Sequence, residues 1–146
     1  MSDAPSDQAL RELLERTRTI AVVGLSDKAD RESNRVARYM QEHGYRVVPV
    51  NPMITEALGE KAYPSLGDIP PELRIDLVDI FRRPEDVPPV VEAAIARQVG
   101  TVWMQLGIAH PAAAASARAA GMTVLEDRCI MLTHKRLRIP DRPASR

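Results

Sequence analysis

The stretch Thr19–Arg35, TIAVVGLSDKADRESNR, decides the fold. Ile20 to Val23 is an unbroken apolar run, the pattern of a strand buried on both faces of a parallel sheet. Gly24 ends it, and a polar stretch with Lys28, Arg31 and Arg35 follows. Ser33 is placed to cap a helix that carries Val36, Tyr39 and Met40 on one side. Strand, glycine turn and helix N-terminus together offer backbone N–H groups and a positive dipole end to a phosphate. The three basic side chains add to that field, so the segment reads as a phosphate-ligand site.

Working outward, Leu10, Leu13 and Leu14 recur at helical spacing and predict a short lead-in helix ending near Thr17. His43-Gly44 closes the helix after the first strand, and YRVVPV (45–50) is a second strand, turned by Asn51-Pro52. Glycines and prolines break up 53–71, leaving a third short strand near Lys61–Tyr63 and a helical turn at Ser65–Ile69. IDLVDIF (75–81) is a further strand, ending in Arg82-Arg83-Pro84. Pro88 and Pro89 suit the first turn of the next helix, whose inner face carries Val87, Val91, Ala94, Ile95 and Gln98 and which Gly100 ends. TVWMQL (101–106), an alanine-rich helix from Pro111 to Gly121, and a last strand at 122–125 complete the series. Asp127-Arg128-Cys129 and a basic HKRLR tail follow.

Strands and helices alternating in this way predict an α/β protein: a Rossmann-like, doubly wound parallel sheet of about five to six strands with helices on both faces. The natural strand order is 3-2-1-4-5. The divisions are an N-terminal tail and lead-in helix over 1–16, the Rossmann-like domain over 17–138 and a C-terminal tail over 139–146. Ligands of such sheets sit beyond the carboxyl ends of the strands, at the switch point. That rule gathers the loops Gly24–Ser33, Val50–Pro52, Phe81–Arg83 and Gln105–Ile108.

Composition narrows the ligand. Twenty Lys and Arg balance twenty Asp and Glu, which argues against a nucleic-acid partner. No apolar run approaches the ~18 residues of a membrane span, and MSDAPSDQ lacks the parts of a signal peptide. A single cysteine suits the reducing cytoplasm. One Cys and three scattered His offer no metal-ligand spacing. A dinucleotide site would show G-x-G-x-x-G, where this chain has Gly24, Ser26 and Ala29, and an acid at the end of the second strand, where it has Asn51. The P-loop pattern is missing too. A nucleotide with an extra ribose phosphate accounts for both the missing carboxylate and the surplus arginines.

GLS…R-x-S, YRVVPVNP, DLVDIFRRP, WMQLGI and DRC with HKRL beyond it, in that order, resemble the small stand-alone CoA-binding proteins. These in turn are similar to the CoA-binding Rossmann domain of the succinyl-CoA synthetase α chain. The likeness runs from about Thr19 to Leu137. It implies that Gly24 and Ser26 let the backbone approach the pyrophosphate of coenzyme A. It also implies phosphate contacts from Arg31 and Ser33, assisted by Lys28 or Arg35. Asn51-Pro52 and Phe81-Arg82-Arg83 would border the adenosine, and Gln105 and Gly107 would line the next loop. Ala29 departs from the proline of many relatives. The synthetase's domain with the phosphorylated histidine has no counterpart, so thioester synthesis is not implied.

The expectation is therefore a cytoplasmic protein that binds CoA or an acyl-CoA, has no catalysis of its own, and works as a homo-oligomer or with a separate catalytic partner. Two alternatives stand beside it. One is an enzyme, either an NAD(P)-type reductase or an acyl-CoA-dependent transferase using Cys129; the other is the CoA-binding subunit of a larger acyl-CoA synthetase-like assembly. The resemblance puts Cys129 toward the thiol end of the cofactor. Read on its own, Cys129 is a small buried hydrophobe, and His134 has no third group to orient it as a base. Trp103 reads as core, and His110 as a residue at the start of a helix.

Overall fold

The computed structural model describes residues 4–141. Its elements, in chain order, are α1 (Asp7–Arg16), β1 (Thr19–Val23), α2 (Glu32–Glu42), β2 (Arg46–Val50), β3 (Glu56–Ala57) and β4 (Glu60–Lys61). They continue with β5 (Leu77–Ile80), α3 (Val87–Ala96), β6 (Thr101–Met104), α4 (Pro111–Ala119), β7 (Thr123–Leu125) and α5 (Ile130–Arg136). The apolar runs become a five-stranded, all-parallel sheet in the order β2-β1-β5-β6-β7. β1 and β5 lie at its centre and are buried along their whole length, which is why they carry no polar alternation.

Two clusters of apolar side chains cover the two faces. On one, Val23, Val48, Val78, Ile80, Val102 and Met104 meet α3 and α4. On the other, Ile20, Val22, Leu77 and Trp103 meet α1, α2 and α5. Trp103 is fully buried, as its place in an apolar strand requires, and its indole N–H donates to the Arg128 carbonyl at 2.9 Å. The lead-in helix is part of this core through Leu10, Leu13 and Leu14, and Leu137 and Ile139 extend the core past α5.

Four local expectations are corrected. Lys61 belongs to a small antiparallel pair, β3 with β4, and not to the main sheet. The third strand survives only as a single parallel bridge between Val50 and Tyr63, because Pro64 follows at once and has no N–H to extend the ladder. The main sheet thus has five strands, within the expected five to six, and the expected third strand is a stub at the β2 edge. Second, Ser33 does not cap α2: the helix begins at Glu32 with Arg31 at the cap position. Third, Gln98 is not on the inner face of α3; it is exposed, and its left-handed backbone (φ 60°) follows the end of the helix at Ala96. Finally, the basic tail begins inside a helix, for His134, Lys135 and Arg136 form the last turn of α5. Their charge suits a helix C-terminus.

Buried polar groups fasten these pieces. His134 is 2% exposed; its Nδ1 lies 2.8 Å from the Tyr39 hydroxyl, tying α5 to α2. Burial, and then the neighbouring His43, lower its pKa, so the ring sits there neutral. The connection before β5 is held from the far side of the chain. Arg97, just past α3, donates to the carbonyls of Leu66 (3.3 Å), Ile69 (2.8 Å), Pro70 (2.7 Å) and Leu73 (2.9 Å). Arg97→Ala should therefore lower stability by about 2 kcal/mol in urea denaturation. Arg97→Lys should recover little of it, since one ammonium cannot reach four carbonyls set around a planar fork.

Candidate functional site

At the carboxyl ends of β1 and β5 the chain leaves a concavity of about 410 Å³ lined by Gly24, Ser26, Lys28, Arg31, Ser33 and Phe81, with Glu32 at its edge. Six of the residues expected from the sequence meet there. α2 starts at its wall, and no side chain caps that helix, so the positive end of its dipole faces the opening. Among the described residues, Lys28, Arg31 and Arg82 have no side-chain ion pair. The Glu32 carboxylate is paired with Arg35.

Hydrogen bonds, not packing alone, shape the first loop. The Ser26 N–H donates to the Ser33 hydroxyl (2.9 Å), and the Asn34 amide donates to the Ser26 carbonyl (2.9 Å). Ser26 Oγ accepts from the Lys28 N–H at 3.1 Å. Ser33 thus holds the loop to the helix, a different task from the capping expected of it. Asn51 works from the other side, its amide donating to the Leu25 carbonyl (3.0 Å) and its Oδ1 accepting from the Met53 N–H (2.9 Å).

Gly24 is required for a reason the sequence did not reveal. Its φ is +91°, and a Cβ there would stand 2.1 Å from the Phe81 carbonyl oxygen. The glycine is demanded by the neighbouring strand before any ligand is considered.

The remaining expected residues are spread along the same edge. Pro52 is exposed beside Asn51, and Arg82 is half-buried after β5. Arg83 is turned to its own loop, 3.1 Å from Asp86 and 3.7 Å from Glu85. Arg35 is exposed in its pair with Glu32. Gly107 donates its N–H to Asp127 at 2.6 Å, which fastens the loop after β6 to the loop after β7. Gln105 turns inward.

A profile of the CoA binding domain matches residues 18–135. This chain belongs to the CoA-binding-domain family. The YneT protein of Bacillus subtilis is 43% identical to this member over 130 residues, 89% of this chain and 95% of that one. A protein from Pyrococcus horikoshii OT3 has a solved structure of the same fold at 42% identity, with a TM-score of 0.88 over 92% of this chain and 94% of the other. The dinucleotide-forming acetyl-coenzyme A synthetase 1 of Ca. Korarchaeum cryptofilum shares the fold at 24% identity and a TM-score of 0.65. That likeness takes in 79% of this chain and 27% of the synthetase.

In this CoA-binding-domain protein a larger concavity, about 540 Å³, opens at the opposite edge of the sheet beside Arg16, Arg74, Asp76 and Arg97. Three of its four charged groups, Arg74, Asp76 and Arg97, are occupied by the fold. Asp76 accepts from the N–H groups of Arg18 (3.0 Å) and Thr19 (2.9 Å) and pairs with Arg74 (3.2 Å), while Arg97 holds its four carbonyls. The smaller concavity at Gly24 instead joins two cations, Lys28 and Arg31, to the start of α2. No cluster of metal-ligating side chains occurs among the described residues. Cys129 is 7% exposed within the apolar cluster beneath α5, and it is not among the residues lining the Gly24 concavity.

Two residues escaped the sequence reading. Asn34, second partner of the first loop, gave no signal beyond its amide. Asp79 could have been noticed as an acid inside the apolar run LVDIF. It is 1% exposed at the centre of the sheet, and its Oδ1 accepts from Gln105 Nε2 at 2.6 Å. Burial pushes its pKa up to about 8 against the smaller opposing effect of the Gln105 bond, so the carboxyl is protonated at neutral pH.

Two outcomes follow from this geometry. Gly24→Ala should unfold or grossly destabilise the protein in thermal denaturation, because a backbone carbonyl cannot give way to the added methyl. Because the folded pKa of Asp79 is raised, the native state holds a proton that the unfolded chain releases near its ordinary 3.8. Stability should therefore fall as pH rises from about 4 through 8. Asp79→Asn, still an acceptor for Gln105, should flatten that fall and exceed the wild type at pH 8 by roughly 1–3 kcal/mol. Urea melts at several pH values check it.

Proposed function

We infer that this protein binds coenzyme A or an acyl-CoA across the carboxyl edge of its sheet and performs no chemistry of its own on it. The observation that carries the reading is the uncapped N-terminus of α2 opening on a concavity with Lys28 and Arg31, whose side chains have no ion pair among the described residues. An anion is the complement of that arrangement. Gly24, Ser26 and Ser33 would border the pyrophosphate, with Arg31 and Lys28 as its cations. Arg82, half-buried one strand away, is the cation available to a ribose phosphate. Asn51 and Pro52 would border the adenosine.

The alternatives draw less support. An NAD ribose is ordinarily held by an acid at the end of the second strand. Here Asn51 stands in that place, with both ends of its amide already bonded to backbone. A transferase would need Cys129 accessible, and it is buried. The CoA-binding subunit of a larger synthetase finds its support in the acetyl-coenzyme A synthetase fold, of which this module resembles about a quarter.

Calorimetry with CoA, dephospho-CoA and NAD tests the proposal. CoA should bind tightest, with dephospho-CoA weaker by about tenfold or more for loss of a charge-assisted contact. Equal affinity for all three would overturn it. Arg31→Ala should weaken CoA by about tenfold, keep the thermal stability of the wild type, and leave binding less sensitive to salt. An unchanged affinity would return Arg31 to the solvated surface.

A further inference from the structure

Among the described residues three large apolar side chains stand exposed: Met53 (84%), Leu106 (67%) and Leu132 (53%). A lone exposed apolar residue ordinarily calls for no explanation. Leu132 lies on α5, but the other two occupy the loops after β2 and β6, at the same edge of the sheet as the Gly24 concavity.

Both are displayed on fastened backbone. The Met53 N–H is held by Asn51 Oδ1 at 2.9 Å, and the same Asn51 side chain holds the Leu25 carbonyl at 3.0 Å. Leu106 sits between two anchors. Gln105 before it is 3% exposed and bonded to Asp79, and Gly107 after it is bonded through its N–H to Asp127. The Ile108 N–H closes the turn onto the Gln105 carbonyl at 2.8 Å. These side chains stand in solvent on loops whose backbone is hydrogen-bonded beside them.

The strand order β2-β1-β5-β6 then places the phosphate-facing loops of β1 and β5 between them. At ~4.8 Å per strand, β2 and β6 are roughly 14 Å apart. Along that edge the surface runs apolar, cationic, apolar. Coenzyme A has the same sequence of chemistry: an adenine ring, a polyanionic middle, and a pantetheine arm whose dimethyl-bearing end adjoins the pyrophosphate. In doubly wound sheets the adenosine lies over the end of the second strand, which sends the other half of the ligand toward β5 and β6.

We propose that Met53 covers the adenine ring and Leu106 packs against the pantetheine arm, so that the cleft reads both ends of its ligand. The proposal rests on the CoA reading above. It assigns the two loops different halves of one molecule, and this makes the two variants separable.

The test uses adenosine 3′,5′-bisphosphate, which lacks the arm, and CoA, each titrated calorimetrically into the wild type, Met53→Ser, Leu106→Ser and Leu132→Ser. Each lost contact of some 50 Å² should weaken binding by about five- to tenfold. Met53→Ser should weaken both probes alike. Leu106→Ser should weaken CoA and leave the bisphosphate unchanged, and Leu132→Ser should alter neither. Thermal melts of all three should match the wild type, since the side chains are exposed. Wild-type binding that neither Met53→Ser nor Leu106→Ser changes, or a Leu106→Ser variant that loses both probes equally, would overturn the assignment. Wild type that binds neither probe would instead overturn the CoA reading itself.

Discussion

The candidate site depends on how closely the end of β1 approaches the end of β5. The Phe81 N–H donates to the Val23 carbonyl at 2.8 Å, and the Gly24 N–H donates to the Val50 carbonyl, also at 2.8 Å. Between these two bonds the chain must turn with φ +91° while its Cα lies against the Phe81 carbonyl. Only a residue without a Cβ satisfies both conditions. The consequence reaches past the turn. Bringing β1 and β5 so near one another sets where the first loop leaves the sheet, and hence where α2 begins.

The second constraint is the way that loop is satisfied. Buried or half-buried backbone groups need partners, and Ser26 finds them in Ser33, Asn34 and its own Lys28 N–H. Asn51 does the same for Leu25. Small polar side chains thus hold the loop, and the long basic ones are left over. This division of labour explains why Lys28 and Arg31 face the concavity while Arg35 and Arg83 are neutralised by carboxylates three residues away on the same segment. A charge is available to a ligand only when the fold has not already paired it.

Asp79 shows the same economy from inside. A carboxyl at the centre of a parallel sheet is costly as an anion, and it is tolerated here as a neutral acid bonded to Gln105. The bond draws Gln105 down from the edge, and Leu106 with Gly107 is thereby held above it. Gln105 belongs to the loop expected to line the ligand, and its buried side chain supports that loop from below.

Much of this protein was legible in its residues. Unbroken apolar runs declared buried parallel strands, glycines and prolines marked their ends, and alternation with helical segments declared the doubly wound sheet, because burial and backbone geometry are local demands. The loops that would gather at one edge followed from chain direction alone, since parallel strands must all end on the same side. His110 announced its task too: it stands at the start of α4, where its Nδ1 accepts from the Ala113 N–H at 3.0 Å. What only the tertiary structure decided were the partnerships between residues far apart in the chain. The third strand dwindled to one bridge at Tyr63, Ser33 gave up its cap to hold Ser26, and the last basic residues joined a helix anchored by His134 to Tyr39. Gly24 owes its identity to Phe81, 57 positions later. Contacts of this kind depend on where two strands meet in space, and a residue's type and spacing carry no record of the neighbour that folding will bring to it.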